Sequence, residues 1–272
     1  MKIIVILFFS MLLALPTYGQ NRETDYLSHV LEKMNAVESV TYHCVKKAWE
    51  PGDKEPVYSV PTEIYEHVNP QDTAVGYSFL CASDKEFRQP LWVYDGTVFA
   101  YIEKEEKEVR IDDFTQKSPL PFRVIMPQAF GCMKSILEYV LNTQDSIVLS
   151  LKDEGKDYLM ELSIHTPYQV EFFGKACYMP QNPYIYDPTS IYKIWISKEN
   201  DMPYRYRREM QHSISEGICS DFVYNPSGKG KIVAEDYYPA DYVRRIKGEK
   251  SQKATVDMTG KKAPDWTLTD MK

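Results

Sequence analysis

The sequence predicts an α+β fold in which an open antiparallel β-sheet curls over two or three helices. Most of the chain after residue 40 consists of short segments rich in β-branched and aromatic residues, separated by turn-forming residues. Short turns join consecutive segments, so neighbouring strands are expected to run antiparallel. A doubly wound sheet would need a helix after each strand, and the sequence does not have that alternation.

The first twenty residues, MKIIVILFFSMLLALPTYGQ, have the pattern of a secretory signal peptide: Lys2, an apolar run from Ile3 to Leu15, and then small residues. The apolar run is shorter than the roughly 20 residues that a membrane-spanning helix needs. We expect cleavage after Gly19. The nearest cysteine beyond the run is Cys44, too far away for a lipid anchor. The sequence therefore predicts an exported, periplasmic chain with no lipobox and no transmembrane segment in its mature form.

Two helices follow from apolar residues that recur at helical spacing. Leu27, Val30, Leu31 and Met34 share one face of the first helix, which we expect to begin at Thr24 or Asp25. The second helix is predicted from Cys132 to Leu141, with its own apolar face. The residues of that face are Met133, Ile136, Leu137 and Val140.

The predicted strands lie in seven segments around these helices. The segments are SVTYHCVKKAW, VGYSFLCAS, LWVYDGTVFAYIE, EVRIDDF, SIVLSLKDEGKDYLMELSI, IYKIWISKENDMPYRYRREM and GICSDFVYNP. Asp95-Gly96 predicts a two-residue hairpin turn, residues 153–156 a longer turn, and residues 103–107 a charged turn or strand tip. We expect seven to ten strands in all.

Charge and residue spacing exclude several functions. The formal net charge of -7 gives little support to nucleic-acid binding. The five histidines lack the spacing of a metal site, and neither a nucleophile elbow nor a glycine-rich phosphate loop occurs. We therefore expect no catalytic residues, no metal and no cofactor, although whether the parent protein is an enzyme stays open.

The five cysteines do not form a Cys-x-x-Cys pair. Two interpretations stay open in an exported chain: buried reduced thiols, or one disulfide whose pairing the sequence does not reveal. Cys132 is the candidate for a reactive thiol, because it stands just before a helix and two residues from Lys134.

The segments LWVYDGTVFAYIEKEEKEVRIDDF and IYKIWISKENDMPYRYRREMQHSISEGICSDFVYNP resemble two hairpins of the LolA-like periplasmic lipoprotein-carrier family. The likeness covers the order of elements over residues 23–240 and involves hydrophobic and turn positions, including Met202-Pro203. It implies a half-open antiparallel β-barrel closed by two or three helices. It also implies an apolar interior, which in carrier members takes up lipoprotein acyl chains.

Aromatic residues are the natural lining of such an interior, since they offer large apolar faces with a polar atom at one end. The candidate lining residues are Trp92, Tyr94, Phe99, Tyr101, Trp195 and Tyr204. Only one parity of each strand can face inward, so we expect some of the six to point away.

The closing segment GKKAPDWTLTD resembles the first strand of thioredoxin-like domains of the peroxiredoxin and TlpA type, with Trp266 at the usual aromatic position. The predicted organisation is a signal peptide (residues 1–19), a LolA-like domain (20–247), a linker (248–259) and the first residues of a thioredoxin-like domain (260–272).

Three functions follow from these resemblances. The first is a non-catalytic module that binds a partner, an apolar group or the envelope surface and so localises a thioredoxin-like oxidoreductase, whose catalytic part is absent from this chain. The second is a free-standing carrier of lipoproteins or other lipid-like ligands. The third is a purely structural domain with a filled core. The expected partners are an apolar ligand or an envelope protein.

Overall fold

The computed structural model describes residues 17–249, with side chains from residue 22. Two helices are present in this range, α1 (Thr17–Asn35) and α2 (Ala129–Asn142), with a single 3-10 turn at Ala234–Tyr237. The strands are β1 (Ser39–Trp49), β2 (Tyr58–Val68), β3 (Tyr77–Ala82), β4 (Pro90–Tyr94), β5 (Phe99–Glu103), β6 (Glu108–Asp112), β7 (Ile147–Glu154), β8 (Asp157–Ile164), β9 (Val170–Phe172), β10 (Ala176–Tyr178), β11 (Ser190–Ser197), β12 (Met202–Met210), β13 (Ser213–Tyr224) and β14 (Val243–Ile246).

Twelve strands form one sheet in the order β14-β6-β5-β4-β3-β2-β1-β13-β12-β11-β8-β7, and β9 with β10 forms a separate hairpin. Neighbours in the large sheet are antiparallel except β14 and β6, which run parallel. The edge strands β14 and β7 do not pair with each other, so the sheet is open. The predicted α+β class with a large antiparallel sheet is confirmed, and the open edges agree with a half-open arrangement.

The two helices pack on one side of the sheet, which we call the helix face. Its core joins the apolar side of α1 and of α2 to alternate residues of the strands. Of the predicted face of α1, Leu27, Val30 and Met34 are buried and Leu31 is half-buried; the predicted face of α2 is buried throughout. Both predicted faces are confirmed.

The predicted start of α1 was wrong, because the helix begins at Thr17 and contains Thr24 and Asp25 in its interior. Gly19 is the only strong helix breaker between residues 17 and 25, and one glycine costs only about 1 kcal/mol. The helix therefore extends upstream of the caps that the sequence offers. No helix of residues 17–249 combines the length and the apolar character needed to cross a membrane.

The opposite side of the sheet, the outer face, carries a second and smaller core over β2 to β6. Tyr65, Leu80 and Val93 are buried there beneath the segment that follows β13, which contributes Ile232 and Ala234. The Tyr65 hydroxyl donates a hydrogen bond of 2.7 Å to the carbonyl of Gly230 and helps to hold this segment in place. The chain then returns to the sheet edge as β14.

The β9-β10 hairpin is joined to the helix face by a buried ion pair. Arg208 of β12 donates from Nε to both carboxylate oxygens of Glu171, at 3.1 and 2.8 Å, and from Nη1 to Ser213 Oγ at 2.9 Å. Only 9% of Arg208 and 7% of Glu171 is exposed. A bidentate pair satisfies both charges where water does not reach them.

Candidate functional site

An apolar groove lies between the helix face of β3 to β5 and the loop that precedes α2. Its volume is about 330 Å³. The sheet contributes Phe79, Trp92, Phe99 and Tyr101, the loop contributes Val124, Ile125 and Met126, and Lys46 and Gln128 form a polar end. We refer to these nine residues as the apolar groove.

Strand register brings the aromatic wall together. Trp92 and Tyr101 are direct partners across β4 and β5, and their rings stack with centroids 6.2 Å apart and planes at 2°. Phe99 meets Phe79 edge to face at 6.4 Å. Because alternate residues of a strand point to the same side, these four side chains share the helix face. Tyr101 nevertheless stays 43% exposed.

The opposite wall consists of a loop that presents apolar side chains to solvent, with Val124 55% and Met126 42% exposed. Arg123 fixes the start of this wall: its Nη1 donates to the carbonyl of Gly96 at 2.8 Å and to the Tyr94 hydroxyl at 3.2 Å. The loop therefore stands over the sheet at a set position. Val124 and Met126 thus add exposed apolar surface to this side of the groove.

A second cavity of about 350 Å³ shares Phe99 and Tyr101 with the groove and continues it towards β14. Charged residues of β6, of β14 and of the position directly after β14 form its sides, and they make ion pairs among themselves. Lys247 contacts Asp112 at 2.6 Å, and Arg110 contacts Glu108 at 3.1 Å. The apolar floor is thus flanked by charges that already neutralise each other.

Lys46 at the polar end has no such carboxylate. Its Nζ donates to Gln128 Oε1 and lies 5.1 Å from the centroid of the Trp92 ring. Among residues 22–249, no carboxylate oxygen lies within ion-pair distance of this nitrogen. Within residues 22–249, the groove therefore ends in a half-buried cation that makes no direct ion pair, with the Glu66 carboxyl as a more distant charged neighbour.

Glu66 lies behind the polar end, buried at the N-terminus of α2. Its carboxylate accepts hydrogen bonds from the backbone N–H of Phe130 at 3.0 Å and of Gly131 at 3.1 Å, and from the Tyr42 hydroxyl. Burial raises the pKa of Glu66 to about 7, although these donors and Lys46 oppose the shift. Glu66 thus connects β2 to the first turn of α2 and titrates near neutral pH.

The six aromatic residues predicted to line a cavity lie in four different places. Trp92, Phe99 and Tyr101 meet in the groove, whereas Tyr94 is fully buried beside it and donates to Asp72 Oδ2 at 2.7 Å. Trp195 points to the outer face, where its ring lies 3.9 Å from the Arg205 guanidinium carbon.

Tyr204 lines a different cleft, of about 650 Å³, at the far end of the helix face. This larger cleft has an apolar floor and a polar rim. The floor includes Met202, Cys219, Phe222 and Tyr224, and the rim includes Lys156, Lys198 and Asn200.

The structure places Cys132 in the first turn of α2 but buries it, and burial raises the pKa of its thiol to about 12. This setting disfavours the thiolate that reactivity requires. All five cysteines are buried free thiols. The described part of the chain holds no cluster of three or more histidine, cysteine or acidic side chains that fits a metal ion.

Sequence reasoning missed the loop wall, Lys46 and Glu66. The apolar run Val124-Ile125-Met126, bounded by Pro121 and Pro127, was the available signal for the loop. The sequence does not indicate that Lys46 lies in the groove. Lys46 and Lys47 are adjacent on β1, and only the structure shows which of the two faces the helices.

No protein-family model matches the chain, and no curated protein sequence does. Solved structures do resemble it. They include lipoprotein LppX of Mycobacterium tuberculosis (7% identity, TM-score 0.38, covering 75% of this chain and 96% of that one) and LprF of Mycobacterium bovis (10%, 0.38, 77% and 98%). A LolA superfamily protein of Nitrosomonas europaea is also among them (10%, 0.28, 80% and 99%).

The thioredoxin-like part of the predicted resemblance falls on residues 260–272, outside the described residues, as does most of the predicted signal peptide.

Proposed function

We propose that this protein is an exported, non-catalytic carrier that binds the apolar chain of a lipid-like ligand in the apolar groove. The observation that carries the proposal is a groove with apolar side chains on both walls, several of them exposed. Its volume lies in the range of about 300–1,000 Å³ typical of small-molecule sites. Export rests on residues 1–19, and the periplasm is the proposed compartment.

Lys46 gives the groove a direction. A cation that makes no direct ion pair within residues 22–249 favours a ligand whose head group is anionic, while the aromatic and loop walls contact its alkyl chain. A fatty carboxylate is the simplest such ligand. Lys46 would donate to the carboxylate, and the chain would extend past Tyr101 towards β14.

Replacing Trp92 with alanine is expected to weaken the binding of dodecanoate by about tenfold to a hundredfold, since burying a large apolar side chain contributes about 1.5–3 kcal/mol. Displacement of the neutral dye N-phenylnaphthylamine by dodecanoate measures this change. Trp195→Ala is the matched control, because it removes the same side chain from the outer face. Equal affinities for wild type and both variants would remove the groove as the binding site.

Replacing Lys46 with methionine is expected to weaken dodecanoate binding by about tenfold and to leave dodecanol binding nearly unchanged, because only the carboxylate pairs with the ammonium group. Lys47→Met is the control, since Lys47 projects from the opposite face of β1. A similar loss for the acid and the alcohol would argue against an anionic head group at this end.

A second candidate function rests on the segment GKKAPDWTLTD, residues 260–270. If a thioredoxin-like domain follows in the gene, the described domain would localise an oxidoreductase and the groove would attach it to an apolar partner. Reading the coding sequence in frame past codon 272 tests this candidate: a Cys-x-x-Cys in a further domain supports it, and an immediate stop codon contradicts it.

A further inference from the structure

Two of the five buried thiols face each other at the centre of the large sheet. Cys44 of β1 and Cys219 of β13 are direct partners in the antiparallel register, and both belong to the core of the helix face. We propose that Cys44 and Cys219 are a modification site at which a disulfide oxidant, small molecule or protein, forms a cross-strand disulfide.

The register brings the two residues within bonding range. Residues directly opposite each other in an antiparallel pair have Cα atoms about 4.5 to 5.5 Å apart, and disulfides join Cα atoms about 4.4 to 6.8 Å apart. The two side chains leave the sheet on the same side, and the Cys219 thiol donates a hydrogen bond to Cys44 that lowers the pKa of the Cys44 thiol. Little backbone movement is therefore needed.

The other cysteines are poorly placed to compete. Cys81 lies on β3 and is separated from Cys44 by β2, so two strand spacings, about 9.5 Å, lie between their backbones. Cys132 is on α2, and Cys177 is on the separate β9-β10 hairpin. Among the five cysteines, only Cys44 and Cys219 are partners in the strand register.

An oxidant reaches this pair through the larger cleft. Cys219 lines that cleft and is 4% exposed, whereas Cys44 lies behind it and is fully buried. The reaction therefore begins at Cys219, although burial and the neighbouring Cys44 raise the pKa of its thiol and make this first step slow. Once Cys219 has lost its proton, its thiolate attacks the oxidant and releases one oxidant thiol. Cys44 then attacks Cys219 in the mixed disulfide and releases the second oxidant thiol. Two protein thiols lose two electrons and two protons, and the oxidant disulfide gains them.

Oxidised glutathione added to the folded wild-type protein tests the proposal. After an acid quench, free thiols are alkylated in denaturant and the digested peptides are mapped by mass spectrometry. We expect most molecules to lose two hydrogen atoms, with one disulfide joining the Cys44 and Cys219 peptides and the other three cysteines alkylated. Five alkylated cysteines, a stable glutathione adduct or any other pairing would overturn the proposal.

Two cysteine variants test which thiols form the disulfide, so the test does not depend on a single variant folding correctly. Cys81→Ala removes a buried thiol of the same face and is expected to keep the disulfide, whereas Cys219→Ala is expected to abolish it and leave Cys44 alkylated. A disulfide that persists in Cys219→Ala, or disappears in Cys81→Ala with circular dichroism unchanged, contradicts the proposed pair.

Discussion

Replacing Glu171 with glutamine is expected to lower the free energy of unfolding by about 3 to 5 kcal/mol, because the buried Arg208 guanidinium would lose its counter-charge. The carboxylate accepts from Arg208 Nε on both oxygens, and the Tyr192 hydroxyl lies 3.4 Å from one of them. A glutamine amide keeps one acceptor but turns an NH₂ group towards a cation. Urea unfolding followed by tryptophan fluorescence measures the loss.

The double variant Glu171→Met, Arg208→Met distinguishes the cost of a buried charge without a partner from the loss of side-chain packing. Removing both charges leaves no ion unpaired in the core, so the double variant is expected to be more stable than Glu171→Gln. Asp241→Asn, which breaks the exposed contact between Lys107 and Asp241, is the surface control and should change stability too little to resolve. A double variant less stable than Glu171→Gln would contradict this. It would show that the ion pair stabilises the fold by more than the cost of leaving one buried charge without a partner.

Glu66 is expected to make the fold less stable as the pH rises through neutrality. Its folded pKa of about 7 lies above the ordinary glutamate pKa of 4.5, so between these pH values the folded chain binds a proton that the unfolded chain has released. The stabilisation is complete below the unfolded pKa and is lost as the pH rises through the folded value. Between pH 5 and pH 8 this one group is expected to remove roughly 2 to 3 kcal/mol of stability.

Urea unfolding of wild type and Glu66→Gln across that pH range tests the assignment, since all other groups are common to both proteins and their contributions cancel in the difference. The variant should have the flatter profile. Tyr42→Phe removes a hydrogen-bond donor to the ionised Glu66 carboxylate and so should raise the pKa of Glu66 further. The free energy of unfolding should therefore keep falling to a higher pH than in wild type. Parallel profiles for wild type and Glu66→Gln would mean that Glu66 does not titrate in this range.

Most strands could be predicted because one side of each packs against a core and the sequence alternates accordingly. β1 coincides with its predicted segment, β11 begins one residue before the predicted segment that spans β11 and β12, and the turn between β7 and β8 lies within predicted residues 153–156. The Asp95-Gly96 turn is longer than predicted, because the Asp95 side chain accepts from the backbone N–H of Thr97 and Val98 and so draws four residues into the turn.

β2 was missed because Pro61 lies within it and proline usually excludes a central strand. The structure explains the exception. β3 pairs with β2 only from Glu63 onward, so Pro61 faces β1 on one side and an open edge on the other. β14 was missed for a different reason: its four residues are exposed on both sides and show no alternation.

Aromatic content suggested six candidate lining residues, and three of them, Trp92, Phe99 and Tyr101, lie in the groove. Their neighbours are fixed by the local hairpin of β4 and β5. Trp195 lies on β11 and Tyr204 on β12. The register of these two strands shifts between Trp195 and Ile196, so simple alternation along the strands does not predict to which side each ring points. The loop wall depends on Arg123 reaching Gly96, a contact that sequence periodicity does not encode.

The position of β1 in the sheet has a consequence for folding. β1 to β6 form one run of neighbours, and the only direct strand pairing between them and the strands from β7 to β13 is that of β1 with β13. One edge of β1 stays open during synthesis until β13, which begins at Ser213, has emerged. Local hairpins form in microseconds, whereas a pairing this distant in sequence must first close a very long loop. Folding is therefore expected to be slow, with a long unpaired strand edge that a holding chaperone would need to shield.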